Sequence, residues 1–170
     1  LCTWEQRMYT GEEALYPLAG GHEVSGELVK LGSQVYTDAK IGDRVMASTL
    51  TRCGYCESCR RGLDSICDNS RKPFRETDVP GPAGLAEYVL LDDYQLYKAS
   101  NEVSFAEICL TEPLGCVTRS VGKAQVERAD NVVIVGAGVM GMLHLTLTKK
   151  QGARVIVSEP DAARAAFALK

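Results

Sequence analysis

The chain has 170 residues, 45% hydrophobic and 24% charged, with 19 Lys and Arg against 22 Asp and Glu. That is enough apolar material for a globular core, and its charges are too balanced for a disordered tail; collagen and coiled coil are excluded as well. The net charge of -3 gives no global attraction to nucleic acid or to an anionic membrane, so neither is expected as a partner.

The chain starts at Leu1 with no Met and no basic-then-apolar leader, which predicts a cut N-terminus. Cys2 and the pair His22-Glu23 are the first groups of metal-ligand type, and Gly20-Gly21 would let the backbone approach a metal closely. Spacing alone is weak evidence here, because a lone His is more often a satisfied structural residue. From Val24 to Leu91 short β-like runs alternate with turns: strands are expected at Val24 to Leu31, Asp43 to Ala47 and Glu87 to Leu91. The expected breaks are Gly32-Ser33, Gly42-Asp43 and Pro80-Gly81-Pro82.

Within this β-rich region Cys53, Cys56, Cys59 and Cys67 follow C-x2-C-x2-C-x7-C, a spacing that lets four thiolates close around one divalent ion. A closed site is structural, and zinc suits four soft ligands best. A disulfide framework and an iron–sulfur cluster fit less well, since the ferredoxin run has a three-residue last gap followed by Pro where this chain has seven residues and Asp68. A nucleic-acid zinc module would also place cations here, and Arg52, Arg60, Arg61, Arg71, Lys72 and Arg75 outnumber the acids of the loop. No aromatic platform or recognition helix accompanies them, so they read as a solvated face. Seven cysteines, an odd count with three crowded in one loop, favour thiols and metal over disulfides and so a cytoplasmic protein.

Ser104-Phe105-Ala106-Glu107 resembles a capping box, and Ile108, Leu110, Leu114 and Val117 recur at helical intervals, so one helix is expected to bridge to a second domain. The uncharged run from Asn131 to Thr148 raises the question of a membrane span, but its three glycines and scattered polar residues predict a strand, a turn and a helix instead. Gly136-Ala137-Gly138-Val139-Met140-Gly141 fits G-x-G-x-x-G after the strand Val132 to Val135. The expected helix runs to Lys150 with Gly152 as its stop, followed by a strand from Val155 to Val157. Glu159 stands at the end of that strand, 18 residues beyond Gly141, where a carboxylate would accept hydrogen bonds from an adenosine ribose and repel a 2'-phosphate. These residues predict a dinucleotide site that prefers NAD to NADP. His144 is expected to be a packing or surface residue, and the chain ends at Lys170 inside the next helix with the sheet unfinished.

Gly21-His22-Glu23, Gly42-Asp43-Arg44-Val45, the four-cysteine lobe, Gly84-Leu85-Ala86-Glu87-Tyr88-Val89, Glu112-Pro113-Leu114 and the glycine fingerprint occur in this order. Together they resemble the zinc-dependent medium-chain dehydrogenase/reductases of the alcohol dehydrogenase superfamily, most of all their polyol (sorbitol or L-iditol) and threonine dehydrogenase branch. The resemblance implies an α/β protein: a GroES-like β-rich catalytic domain over residues 1–110 with a structural zinc lobe at about 52–75, then a linking helix and the start of a Rossmann doubly wound parallel sheet over 111–170.

It also implies two zinc ions per chain and NAD. Cys2 and His22 become ligands of a catalytic zinc, Glu23 an exchangeable or outer ligand with a catalytic role, and Glu112 the third ligand in preference to Cys116. Cys109 is expected in the core. Three protein ligands leave one position open, as activation of an alcohol hydroxyl near neutral pH requires. Where the family has Gly, Ser or Thr, and Asp after the ligand Cys, this chain has Thr3-Trp4-Glu5, so Trp4 displaces the relay hydroxyl. Thr3 or a zinc-bound water would take over, or the proton leaves by another route, and Trp4 is expected to wall the pocket.

The implied activity is hydride transfer between a secondary alcohol, such as the polyols sorbitol and L-iditol, and NAD. Threonine and sugar-phosphate dehydrogenases are the alternatives within the family. A noncatalytic NAD-binding protein with only the structural zinc and an iron–sulfur electron carrier are the alternatives outside it. A small-molecule alcohol is the expected partner, the full-length protein is expected to form a homodimer or homotetramer, and the 170-residue segment alone is expected to be inactive.

Overall fold

A computed structural model gives the architecture of residues 1–13, 17–70, 79 and 81–170, in two units, Leu1–Thr111 and Glu112–Lys170. Pro80 and the cations Arg71, Lys72 and Arg75 lie outside the described residues, as does the end of the expected zinc lobe.

In the first unit, α1 (Thr3–Thr10) is entered from extended backbone at Cys2 and closed by Gly11, whose left-handed φ of 78° no side chain would tolerate well. Met8 and Glu5 are its buried residues. β1 (Glu23–Glu27) and β2 (Arg44–Ser48) pair antiparallel, with Ser25 opposite Met46. The expected strand from Val24 to Leu31 is shorter, since the regular ladder is broken at Leu28, whose N–H donates to the carbonyl of Asp43 while its own carbonyl accepts from Gly42 N–H. Val45, Met46 and Ala47 are consecutive and all buried, so β2 is covered on both faces and forms the centre of the unit. α2 (Glu57–Arg60) lies in the cysteine lobe.

The expected strand at Glu87–Leu91 does not form. The third strand is β3 (Leu96–Lys98), antiparallel to β2 with Tyr97 opposite Met46. Leu85, Tyr88 and Leu90 are exposed and no described strand offers them a ladder, so the apolar character of this run is not that of a sheet face. α3 (Phe105–Cys109) packs on β1 and β2 with Ile108 buried. Its capping box is complete: Glu107 N–H donates to Ser104 Oγ at 3.3 Å, and Ser104 N–H to Glu107 Oε2 at 2.9 Å.

The single helix expected after Ser104 is two helices, because Pro113 has no N–H for the carbonyl of Cys109. The chain breaks at Leu110 and restarts as α4 (Thr111–Lys123), with Pro113 in the first turn where the missing donor costs nothing.

In the second unit Val117 and Val121 form the buried stripe of α4. β4 (Asn131–Val135), α5 (Val139–Lys150) and β5 (Arg154–Ser158) make a βαβ with parallel strands, Val133 opposite Ile156. The uncharged run is thus split between a strand and a helix, and among the described residues no helix is long and apolar enough to cross a membrane. Burial alternates strictly along both strands, leaving Val133, Val135 and Ile156 exposed on one face. α6 (Ala162–Ala168) is capped by Asp161, which accepts from Arg164 N–H at 2.9 Å.

Candidate metal centres and dinucleotide turn

The four cysteines of the lobe converge. The sulfurs of Cys53, Cys56, Cys59 and Cys67 all lie within 4.8 Å of one another, with Cys53 to Cys59 at 4.0 Å and Cys56 to Cys67 at 3.9 Å. Zinc–sulfur bonds of about 2.3 Å set at tetrahedral angles imply edges of about 3.8 Å. Local backbone creates the arrangement, since Cys56 N–H points at Cys53 Sγ (3.3 Å), Cys59 N–H at Cys56 Sγ (3.4 Å) and Asn69 N–H at Cys67 Sγ (3.4 Å). Burial raises the Cys53 thiol, but the Asn69 side chain and two backbone N–H groups outweigh it and bring it down to about 6. Cys59 is pushed up to about 12 by burial and by its bonds to the other three thiols.

Arg52 clasps this lobe. Its Nη1 donates to Asp64 Oδ2 at 2.6 Å, its guanidinium lies 4.5 Å from the centre of the Tyr94 ring, and its backbone N–H donates to Tyr94 Oη. The arginine expected to be merely solvated therefore ties the two ends of the cysteine loop to the turn at Asp93–Gln95.

A second cluster of donors joins α1 to the start of β1. Ligand atoms of Cys2, Glu5 and His22 lie within 4.8 Å of one another, and Glu23, the first residue of β1, comes equally near His22. No spacing in the sequence marks Glu5 as a member of this cluster. Its Oε1 accepts from His22 Nδ1 at 2.7 Å and from Gly21 N–H at 3.1 Å, so in the neutral imidazole the proton sits on Nδ1 and Nε2 keeps its lone pair. Burial opposes the charge on Glu5, yet the Gly21 N–H and His22 together hold its carboxyl below the usual glutamate range. Its other oxygen, Oε2, is buried and, among the described residues, has no hydrogen-bond partner. A buried carboxylate oxygen without a donor, beside a thiol and an imidazole lone pair, is a donor set that fits zinc.

Glycines bring His22 into place. Ala83, Gly84 and Leu85 N–H groups donate to the carbonyls of Ala19, Gly21 and Gly20, clamping the segment that carries His22. A Cβ on Gly84 would collide with Val24 Cγ2 and the Gly21 carbonyl oxygen, so only glycine permits the approach. The Gly84 to Val89 motif therefore acts at its first residues as a clamp and not as a strand. Trp4 stands over the cluster, its ring 5.7 Å from that of His22 and nearly perpendicular to it at 76°.

In the second unit Glu112 lies in the first turn of α4, with Cys116 Sγ 4.0 Å from its Oε1. Cys109, in the first unit, is half-buried with its sulfur 3.1 Å from Ser25 Oγ. Gly138 precedes α5, Val139 and Met140 form its first turn, and Gly141 faces Gly136 so closely that a Cβ would strike the Gly136 carbonyl oxygen. Glu159 accepts from Ala137 N–H at 2.6 Å and Asp161 N–H at 2.9 Å, and these two bonds hold its carboxyl below the usual range. The acid at the end of β5 and the glycine turn are thus in direct contact. His144 faces the carbonyl of Met140 and Ser120 Oγ, away from that contact.

Residues 1–101 match the family model of the alcohol dehydrogenase GroES-like domain. The 2-dehydro-3-deoxy-L-galactonate 5-dehydrogenase of Pseudoalteromonas atlantica is 30% identical over 171 residues, covering 99% of this chain and 49% of the relative. The sorbitol dehydrogenase of Halalkalibacterium halodurans is 32% identical over 151 residues, 86% of this chain and 43% of the relative. A solved structure from Sinorhizobium meliloti 1021, described as a zinc-binding dehydrogenase bound to NADP, has a TM-score of 0.86 and 29% identity over 99% of this chain and 48% of its own. The chain spans about half the length of the curated relatives it matches.

Proposed function

The chain belongs to the alcohol dehydrogenase GroES-like domain family, and on that footing we propose that it carries the metal centre and the start of the cofactor fold of a zinc-dependent oxidoreductase. The reaction is hydride transfer between a secondary alcohol of the polyol class and NAD. The observation that carries the reading is the convergence of Cys2, Glu5 and His22 with a buried carboxylate oxygen left over. The names of the sorbitol and sugar-acid dehydrogenases among its relatives support the substrate class.

Cys2 and His22 hold the catalytic ion, with Glu23 as an exchangeable partner. Zinc bound there supplies a Lewis acid that brings an alcohol hydroxyl toward ionisation at neutral pH. Glu5 fixes the imidazole tautomer and orients the ring through the Nδ1 bond. The indole of Trp4 donates but cannot accept, so a proton leaving the substrate does not pass through residue 4. Cys53, Cys56, Cys59 and Cys67 hold the structural ion and stiffen a lobe with little core of its own. The turn from Gly136 to Gly141 receives the pyrophosphate at the positive end of α5, and Glu159 takes the adenosine ribose hydroxyls, favouring NAD.

In this reading residues 1–110 form the catalytic domain and 111–170 the linking helix and first βαβ of the cofactor domain. The parent enzyme is a cytoplasmic homo-oligomer. The test is a panel of sorbitol, L-iditol, threonine and a sugar phosphate, assayed for NADH absorbance with the zinc-replete parent enzyme and its Cys2→Ser variant. Polyol-dependent NADH formation abolished by the substitution is expected; a parent enzyme inert toward every polyol would overturn the assignment.

A further inference from the structure

We propose that Trp4 selects the substrate at the Cys2–His22 centre, favouring polyhydroxylated chains over simple alcohols. The inference rests on the metal-site reading above and deepens it. Trp4 is the sole tryptophan, placed on α1 between the donors Cys2 and Glu5. Its ring meets that of His22 edge to face, yet the residue is only half-buried. Among the described residues its Nε1–H has no hydrogen-bond partner, although an indole serving the core normally finds one.

The side chain thus offers two unspent features beside an open coordination site: a ring face of negative quadrupole and a single N–H donor. A polyol fits both. Its C–H bonds are polarised by the hydroxyl on every carbon and are attracted to the ring face, and its next hydroxyl can accept from Nε1–H. Propan-2-ol has the reacting hydroxyl but neither the polarised neighbouring carbons nor a second oxygen. The indole therefore discriminates through the atoms beyond the reacting carbon, where the zinc ligands have no reach.

The test uses the zinc-loaded 170-residue chain, with metal content measured alongside. Sorbitol is expected to shift the emission of Trp4, and calorimetry is expected to show sorbitol binding weakened about tenfold in Trp4→Leu, with propan-2-ol unaffected. Trp4→Phe keeps the ring face and removes the donor, so it is expected to fall between the two, and it covers the case in which the leucine variant does not fold. Two zincs per chain with unchanged emission and equal sorbitol affinity in all three proteins would overturn the role of Trp4 while leaving the metal site standing. One zinc per chain, unaffected by Cys2→Ser, would overturn both.

Discussion

The cysteine lobe and the Cys2–His22 cluster both gather metal-ligand donors in the first unit, but they do so over very different lengths of chain. The lobe takes four sulfurs from a single segment, Cys53 to Cys67, and aligns them with backbone N–H groups only two or three residues away. The other cluster takes one donor from the start of α1, one from its first turn and one from just before β1. It is held together by a clamp that reaches to Gly84. A site closed by its own segment satisfies all of its ligands and suits a structural ion. A site assembled from distant segments can leave a direction open, at the cost of depending on the scaffold.

The largest expected effect separates the two centres at the scaffold. Gly84→Ala forces a methyl into Val24 and the Gly21 carbonyl, an overpacking expected to cost about 3 kcal/mol. It should lower the thermal midpoint and abolish metal uptake at Cys2–His22 while the tetrathiolate ion stays bound; metal analysis of the folded variant checks this. Next comes Glu5→Gln, which keeps the shape and removes the charge that orients His22. Zinc affinity at the open site is expected to fall roughly 10- to 100-fold, with the lobe unchanged in a chelator competition. Arg52→Ala breaks the clasp to Asp64 and Tyr94 and is expected to speed loss of the lobe's ion to a chelator severalfold without affecting the open site.

The smallest effect concerns the second unit. Glu159 is held below its ordinary value of 4.5 by two backbone N–H groups, so its contribution to the glycine turn is complete above that value and is lost as pH falls through the lower folded value. The Ala137 amide resonance should titrate with a midpoint below 4.5 and should stop titrating there in Glu159→Gln.

What the sequence revealed follows the same division between local and distant assembly. The cysteine spacing and the glycine fingerprint are legible because their geometry is set within a few residues. The capping box at Ser104 and the stop at Gly152 are legible for the same reason. Glu5 is not legible in this way, because the acid three residues after Cys2 gains its meaning only once the clamp brings Gly21 and His22 against it. The apolar run Glu87–Leu91 has the pattern of a strand without being one, because alternation cannot reveal whether a partner strand exists. The break at Leu110 did have a signal, since Pro113 removes the donor that a continuous helix would need.

The central claim is that the first unit holds two metal ions of unlike coordination, one closed by sulfur and one open. Cadmium-113 resonance of the cadmium-loaded chain tests it most directly. Two signals are expected, one in the tetrathiolate range and one shifted toward mixed sulfur, nitrogen and oxygen ligation, with only the second lost in Cys2→Ser. A single tetrathiolate signal, indifferent to that substitution, would contradict the account.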